Sequence, residues 1–152
     1  MFLIRHADAG RRERWDGDDR LRPLSKKGYR QTRGLTVELA RARLERVLSS
    51  PYVRCVQTVE PLAQARELIV EEREELVEGT AFETTLQLFR ELSGTPAALC
   101  THGDVMYNTC EHLIQRGLIR RDEVRYEKGS AWILQEGTDD IVAARYLPAR
   151  EA

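Results

Sequence analysis

Residues 1–7 read MFLIRHA, and the apolar run Phe2-Leu3-Ile4 within them predicts a buried β-strand. Short apolar runs recur at residues 47–48, 68–70 and 97–100, and each precedes a polar or helix-like stretch. Strands that alternate with helices favour a parallel sheet. The expected fold class is therefore α/β, with three αβα layers in which helices cover both faces of a mostly parallel central sheet.

Two helices are predicted between the first three strands. One covers Ser25 to Arg43, with Ser25 as its N-cap and apolar residues at helical spacing behind it. The other follows Ser50-Pro51, which is typical of an N-cap followed by proline at the first helical position. Arg54 then falls in the first turn of this helix. The apolar stripe expected to be buried is Val56, Val59 and Ala63.

The second half of the chain predicts two further helices and a closing pair of strands. Apolar residues at helical spacing mark the helices around residues 82–89 and 106–113, which end near Gly94 and Gly117. The segments at residues 132–134 and 141–143 flank a turn-rich stretch, so we expect them to be strands.

Composition limits the classes of protein to which the chain can belong. Its 152 residues with 41% hydrophobic content fit a single domain over residues 1–152, able to bury a core without disulfides. With 24 basic and 25 acidic residues, no overall charge favours nucleic acid or an anionic membrane as partner. No segment has the pattern of a signal peptide or a membrane span. We expect a cytoplasmic protein whose three cysteines are reduced.

Cationic side chains follow three of the predicted strands. Arg5 and His6 end the first, Arg54 follows the second, and His102-Gly103 follows the fourth. Ligands of open α/β sheets bind at the carboxyl ends of the strands, so these residues are expected to converge on one pocket. Because a guanidinium offers a planar fork of donors to phosphate oxygens, the pattern indicates a phosphate site.

The segment from Asp8 to Pro23 is rich in Arg, Asp and Gly and lacks periodic apolar residues. We predict a long ordered loop, and loops of that length in compact domains are usually functional. Trp15 within it is either a base-stacking residue or a packing anchor.

Four motifs in order support one family. They are Arg5-His6-Ala7, the segment 22–28 (RPLSKKG) that opens the first helix, the segment 49–58 (SSPYVRCVQT), and Thr101-His102-Gly103. The set resembles the R-H-G/A, L-T-x-x-G, S-S-x-x-x-R-x-x-Q-T and S-H-G motifs of the histidine phosphatase (phosphoglycerate mutase-like) superfamily. The resemblance implies a phosphoglycerate mutase-like fold and a phosphoric monoester hydrolase.

The resemblance also implies roles for the matching residues. His6 would be the nucleophile that forms a phosphohistidine, while Arg5, Arg54, His102 and Gly103 would bind the phosphoryl group. A neutral imidazole is a competent nucleophile near pH 7, which agrees with this role. No metal or other cofactor is expected.

The general acid has several candidates. Larger family members supply a Glu ahead of the middle helix, and Glu78 or Glu75 could match it, although the run from residue 71 to 78 could instead be a solvated charged surface. Asp8 and Asp104 are the other candidates.

The chain resembles small bacterial phosphohistidine phosphatases in length, and it is also similar to the phosphatase half of Nudix-fused proteins. The expected partner is therefore a phosphorylated protein or a small phosphorylated molecule such as a nucleotide. The alternative is a binding module that recognises phosphate without turnover.

Overall fold

Six strands form one sheet in the computed structural model, which describes residues 1–152. They are β1 (Phe2–Arg5), β2 (Arg46–Ser49), β3 (Val70–Glu72), β4 (Ala97–Thr101), β5 (Ala131–Glu136) and β6 (Ile141–Leu147). Their order across the sheet is β3-β2-β4-β1-β5-β6. The first four in this order are parallel, whereas β5 and β6 are antiparallel to their neighbours. The mostly parallel sheet predicted from the sequence is confirmed.

Four α-helices connect and cover the strands. They are α1 (Lys26–Glu38), α2 (Val53–Ala65), α3 (Phe82–Glu91) and α4 (Gly103–Gln115). Short 3₁₀ turns lie at Arg12–Arg14, Asp19–Leu21, Glu74–Leu76 and Arg121–Glu123. None of the helices combines the length and the apolar character that crossing a bilayer requires.

The alternation of side chains along the strands builds the three layers. Leu3 and Leu48 face a core shared with α3 and α4, whereas their neighbours Ile4 and Val47 face a second core shared with α1 and α2. Because successive side chains point to opposite faces of a strand, an entirely apolar strand must be covered on both sides. The predicted αβα architecture is confirmed.

The first helix is shorter than predicted, since it ends at Glu38 rather than Arg43. The Ser25 hydroxyl accepts a hydrogen bond from the Gly28 N–H, as expected of an N-cap. Beyond Glu38 the guanidinium of Arg66 donates to backbone carbonyls of the following turn, those of Leu39, Ala40 and Ala42. Carbonyls that would otherwise need further helical N–H donors are thereby satisfied by a side chain.

The predicted start of α2 is wrong by two residues. Tyr52, not Ser50, is the N-cap, and Pro51 lies outside the helix. Arg54 does fall in the first turn. Val59 and Ala63 are buried as predicted, but Val56 is only half-buried.

The third strand begins at Val70 rather than Leu68 because the chain first has to end α2. Glu67 adopts a positive φ of 55°, and the N–H of Leu68 donates to the Ala63 carbonyl at 2.9 Å. This arrangement is the Schellman helix ending, in which an apolar residue follows the left-handed one. Ile69 is consequently exposed and lies outside the strand.

Candidate active site

The carboxyl ends of β1, β2 and β4 bring the predicted residues to one edge of the sheet. His6 follows β1 directly, His102 follows β4, and Arg54 lies on α2 just after β2. A cavity of about 380 Å³ opens at this edge. Its lining contains no apolar side chain and consists of Arg5, His6, Arg12, Arg54, Glu78, Gly79, His102, Gly103 and Asp104. The predicted nucleophile, His6, and the four residues predicted to bind the phosphoryl group therefore meet in one place.

His6 lines this cavity, and its hydrogen bonds determine which ring nitrogen carries the proton. Its Nδ1 lies 2.8 Å from the Ala7 carbonyl oxygen, which can only accept, so Nδ1 must carry the proton. Nε2 then keeps its lone pair, and Arg54 Nε points its N–H toward it at 3.4 Å. Burial lowers the pKa of His6 well below 6.5, and the nearby charge of Arg54 lowers it further. The ring is therefore neutral at pH 7, with Nε2 as a nucleophile.

Arg54 is completely buried, which is rare for a guanidinium. Nη1 donates to the Asp19 backbone carbonyl at 2.8 Å and Nη2 to the Asp19 carboxylate at 3.0 Å. The guanidinium also stacks over the Tyr52 ring at 4.8 Å. These contacts hold its Nε against His6.

Arg5 is held by a backbone carbonyl from the segment ahead of β5. Its Nη1 donates to the Tyr126 carbonyl oxygen at 2.7 Å, while its Nε is buried and has no hydrogen-bond partner within the protein. The ring of His102 lies edge-on to that of His6, with ring centroids 5.5 Å apart. Nδ1 of His102 is likewise buried without a partner. Unpartnered buried polar atoms are rare in folded proteins, and both of these residues line a cavity that suits an oxyanion.

Comparison with known families agrees with this geometry. The model of the histidine phosphatase superfamily (branch 1) matches residues 1–85, more than half of the chain. The chain belongs to the histidine phosphatase superfamily. The predicted family is confirmed, and with it the enzyme class of phosphatase.

Individual relatives of this histidine phosphatase include an 8-oxo-(d)GTP phosphatase from Mycolicibacterium smegmatis. The two are 34% identical over 153 residues, covering 97% of this chain but 47% of the relative. The chain thus spans about half the length of that curated relative.

Solved structures share the fold. The protein histidine phosphatase SixA in complex with tungstate is 22% identical and has a TM-score of 0.74, covering 96% of this chain and 94% of the other. Bacillus stearothermophilus YhfR is 16% identical with a TM-score of 0.75, covering 93% of each chain. These two likenesses confirm the phosphoglycerate mutase-like fold.

The structure separates the four candidates for the general acid of this histidine phosphatase. Glu78 lines the cavity, with its carboxylate 3.1 Å from Arg12 Nη2 and 3.5 Å from Arg54 Nη2. Asp104 also lines it but accepts from the Gly79 N–H at 2.7 Å. Glu75 instead pairs with Arg73 away from the cavity, and Asp8 is held by Ser25 and Lys128.

Three residues that shape the site, Asp19, Arg12 and Tyr52, had no role assigned from the sequence. Asp19 lies between three guanidinium groups, those of Arg12, Arg22 and Arg54. Burial alone would raise the pKa of Asp19, but the hydrogen bond from Arg22 and the charge of Arg54 lower it. Arg12 lines the cavity, and the ring of Tyr52 lies against the Arg54 guanidinium. Asp19 and Arg12 belong to the long loop predicted to be functional, so the loop was identifiable whereas its individual contacts were not.

Gly103 is required for the position of Arg5. A Cβ at residue 103 would lie 2.9 Å from Arg5 Nη2 and 3.0 Å from Arg5 Cζ. Gly103→Ala should therefore displace the guanidinium and lower kcat/KM about 100-fold, the scale of a misplaced catalytic group. The melting temperature should stay the same or rise, because alanine favours the helix.

The matched control for this prediction is Asn108→Ala, which also adds helix propensity to α4 at a residue that does not line the cavity. Hydrolysis of p-nitrophenyl phosphate and thermal melts of both variants give the comparison. If Gly103→Ala retained full activity, Arg5 would not depend on this close approach.

Proposed function

We propose that this histidine phosphatase hydrolyses its substrate without a metal, through a phosphohistidine on His6. The observation that carries the proposal is the protonation pattern of His6, whose Nδ1–H donates to Ala7 and leaves the Nε2 lone pair facing a cationic cavity. Catalysis of phosphoryl transfer depends mainly on positioning and charge, and this arrangement supplies both.

In the first step, the Nε2 lone pair of His6 attacks phosphorus and the bond from phosphorus to the leaving oxygen breaks. The leaving oxygen keeps that electron pair and takes a proton from Glu78. In the second step, water attacks phosphorus, the P–N bond breaks and its electron pair returns to Nε2, while a proton of the water passes to Glu78. Inorganic phosphate is released and the enzyme is regenerated.

The charge that builds on the phosphoryl oxygens has four partners in this proposal. Arg5 Nε and His102 Nδ1 are unpartnered buried nitrogens beside the cavity, and Arg54 lies against the nucleophile itself. The backbone N–H of Gly103 stands in the first turn of α4, where a helix favours anions. Such fixed donors stabilise a transition state without having to reorganise.

A nucleoside phosphate is the substrate class that we propose. The curated relative at 34% identity is named for a nucleotide, whereas the similarity to SixA is low enough to inform the fold alone. A second cavity of about 330 Å³ is lined by Arg11, Arg14 and the half-exposed Trp15. Arg11 lines this second cavity, and its neighbour in the chain, Arg12, lines the catalytic cavity. An aromatic face beside cations suits a base and its sugar phosphate.

The test of the activity is hydrolysis of p-nitrophenyl phosphate with a chelator present. Undiminished turnover supports the metal-independent phosphatase, whereas complete inactivity would favour a module that only binds phosphate. The substrate class is then tested by comparing the turnover of a panel of nucleoside mono- and diphosphates with the turnover of a phosphohistidine peptide. Faster turnover of the peptide would contradict the nucleotide proposal.

Glu78→Gln tests the proton transfer. p-Nitrophenolate is a good leaving group that departs without a proton, so with this substrate the loss of the Glu78 carboxyl should affect mainly the attack of water in the second step. We expect kcat to fall roughly 100-fold, within the usual range for a general base. The first turnover of p-nitrophenyl phosphate should remain fast and appear as a burst, since hydrolysis of the phosphoenzyme becomes limiting.

The control is Glu75→Gln, which makes the same change three residues away on a carboxylate bound to Arg73. It should leave both phases unchanged. A kcat for Glu78→Gln within about twofold of the parent enzyme would remove Glu78 from the reaction, since general-base catalysis contributes far more than that.

A further inference from the structure

The ring of His102 is held at one nitrogen by a residue that does not line the catalytic cavity. Nε2 lies 2.8 Å from Ser50 Oγ, and both side chains are buried. Ser50 does not line the cavity, whereas His102 does. This leaves Nδ1 as the ring nitrogen able to meet a group in the cavity.

The hydrogen bonds of Ser50 determine the direction of its contact with His102. Its Oγ accepts the backbone N–H of Tyr52 at 3.3 Å, so one lone pair is already used. The hydroxyl proton has His102 Nε2 as its acceptor. If Nε2 were protonated instead, the Ser50 hydroxyl would receive two donors and its own proton would lack a partner in a buried site, which costs free energy.

Cys55 is the other group near Nε2, with Sγ at 3.5 Å. Sγ also lies 3.8 Å from the Thr101 carbonyl oxygen, so a Cys55 thiol proton has that carbonyl and Nε2 as its two acceptors, and neither bond requires a proton on Nε2. The rival arrangement is a Cys55 thiolate that accepts a hydrogen bond from a protonated Nε2, and it would place the proton of His102 on Nε2 rather than on Nδ1.

We propose that Ser50 is a positioning residue that fixes the tautomer of His102, by donating to Nε2 and thereby keeping the proton on Nδ1. Nδ1 is the buried ring nitrogen without a partner in the protein. Ser50 thus converts His102 into a hydrogen-bond donor aimed at the phosphoryl group. The effect of Ser50 on kcat rests on the proposed phosphatase reaction, whereas its effect on the tautomer of His102 does not.

The tautomer can be measured directly by ¹⁵N NMR of the imidazole nitrogens. The chain has three histidines, so the His102 signals are assigned by their absence from His102→Gln. In the parent protein the proton should be on Nδ1. In Ser50→Ala it should redistribute toward Nε2. A parent spectrum with the proton on Nε2 would overturn the proposal without any need for the serine variant.

The matched control is Ser49→Ala, because Ser49 is equally buried and its hydroxyl donates to the Ser50 carbonyl oxygen at 2.8 Å instead of to a ring. It should leave the His102 spectrum unchanged. In hydrolysis of p-nitrophenyl phosphate, Ser50→Ala should lower kcat roughly tenfold to 100-fold, as loss of an orienting partner does, with little change in KM. Equal effects of the two serine variants on spectrum and kcat would show a merely structural role and sink the proposal.

Discussion

His6→Ala is expected to abolish turnover, with kcat for p-nitrophenyl phosphate falling by at least roughly 10⁴-fold, the scale of losing a nucleophile. Removing the imidazole removes the only protein atom that bonds to phosphorus in the proposed reaction. The side chain is buried but small, and it lies at the wall of an open cavity. The fold should therefore persist, as a circular dichroism spectrum would show.

The covalent intermediate gives a second measurement on the same variant. Brief incubation with a ³²P-labelled substrate should leave label on the parent protein that is stable in alkali and lost in acid, as for a phosphohistidine. His6→Ala should carry none. Label of equal amount on both proteins would refute the covalent step, even if the variant were inactive.

His112→Ala is the control for these experiments. The third histidine pairs with Asp140 at 3.0 Å and lies outside the catalytic cavity. Its removal should leave both turnover and labelling intact. A loss of label in His112→Ala would mean that the labelled histidine had been misassigned.

The elements that could be predicted from the sequence are those set by local patterns. Alternating apolar runs located the strands, and the ordered motifs located His6, Arg54 and His102 at one edge of the sheet. The ends of helices were harder, since α1 gives way to a turn whose carbonyls are satisfied by Arg66, the C-cap residue of α2. A contact between residues far apart in the chain leaves no trace in the periodicity of either segment.

The surroundings of the site were hidden for the same reason. Asp19 contacts Arg54 across 35 positions, and Ser50 contacts His102 across 52. Each residue in isolation is an ordinary loop side chain. Their importance comes from burial beside a group whose charge or tautomer they determine, which becomes visible only in three dimensions.

Arg54→Ala is expected to lower kcat/KM by about 100-fold to 1000-fold, close to 3 kcal/mol of transition-state stabilisation, the value of one fixed donor in a shielded site. Two effects act together. The oxyanion loses a guanidinium that stays charged at every working pH. In addition, the Asp19 carboxylate, 3.0 Å from that guanidinium, loses this partner beside the phosphoryl site. The change should therefore weaken inhibition by vanadate as well as lower kcat.

Arg54→Lys separates charge from geometry, because lysine keeps the charge but cannot reach His6 and Asp19 with one planar fork. Its activity should fall between those of the parent and Arg54→Ala. Arg46→Ala is the control: Arg46 also bonds one carboxylate twice, at 3.0 Å and 2.7 Å to Glu71, but stands at the opposite end of β2. It should retain activity. If Arg54→Ala lost less than tenfold in kcat/KM while folded, the buried guanidinium would serve the loop through Asp19 rather than the reaction.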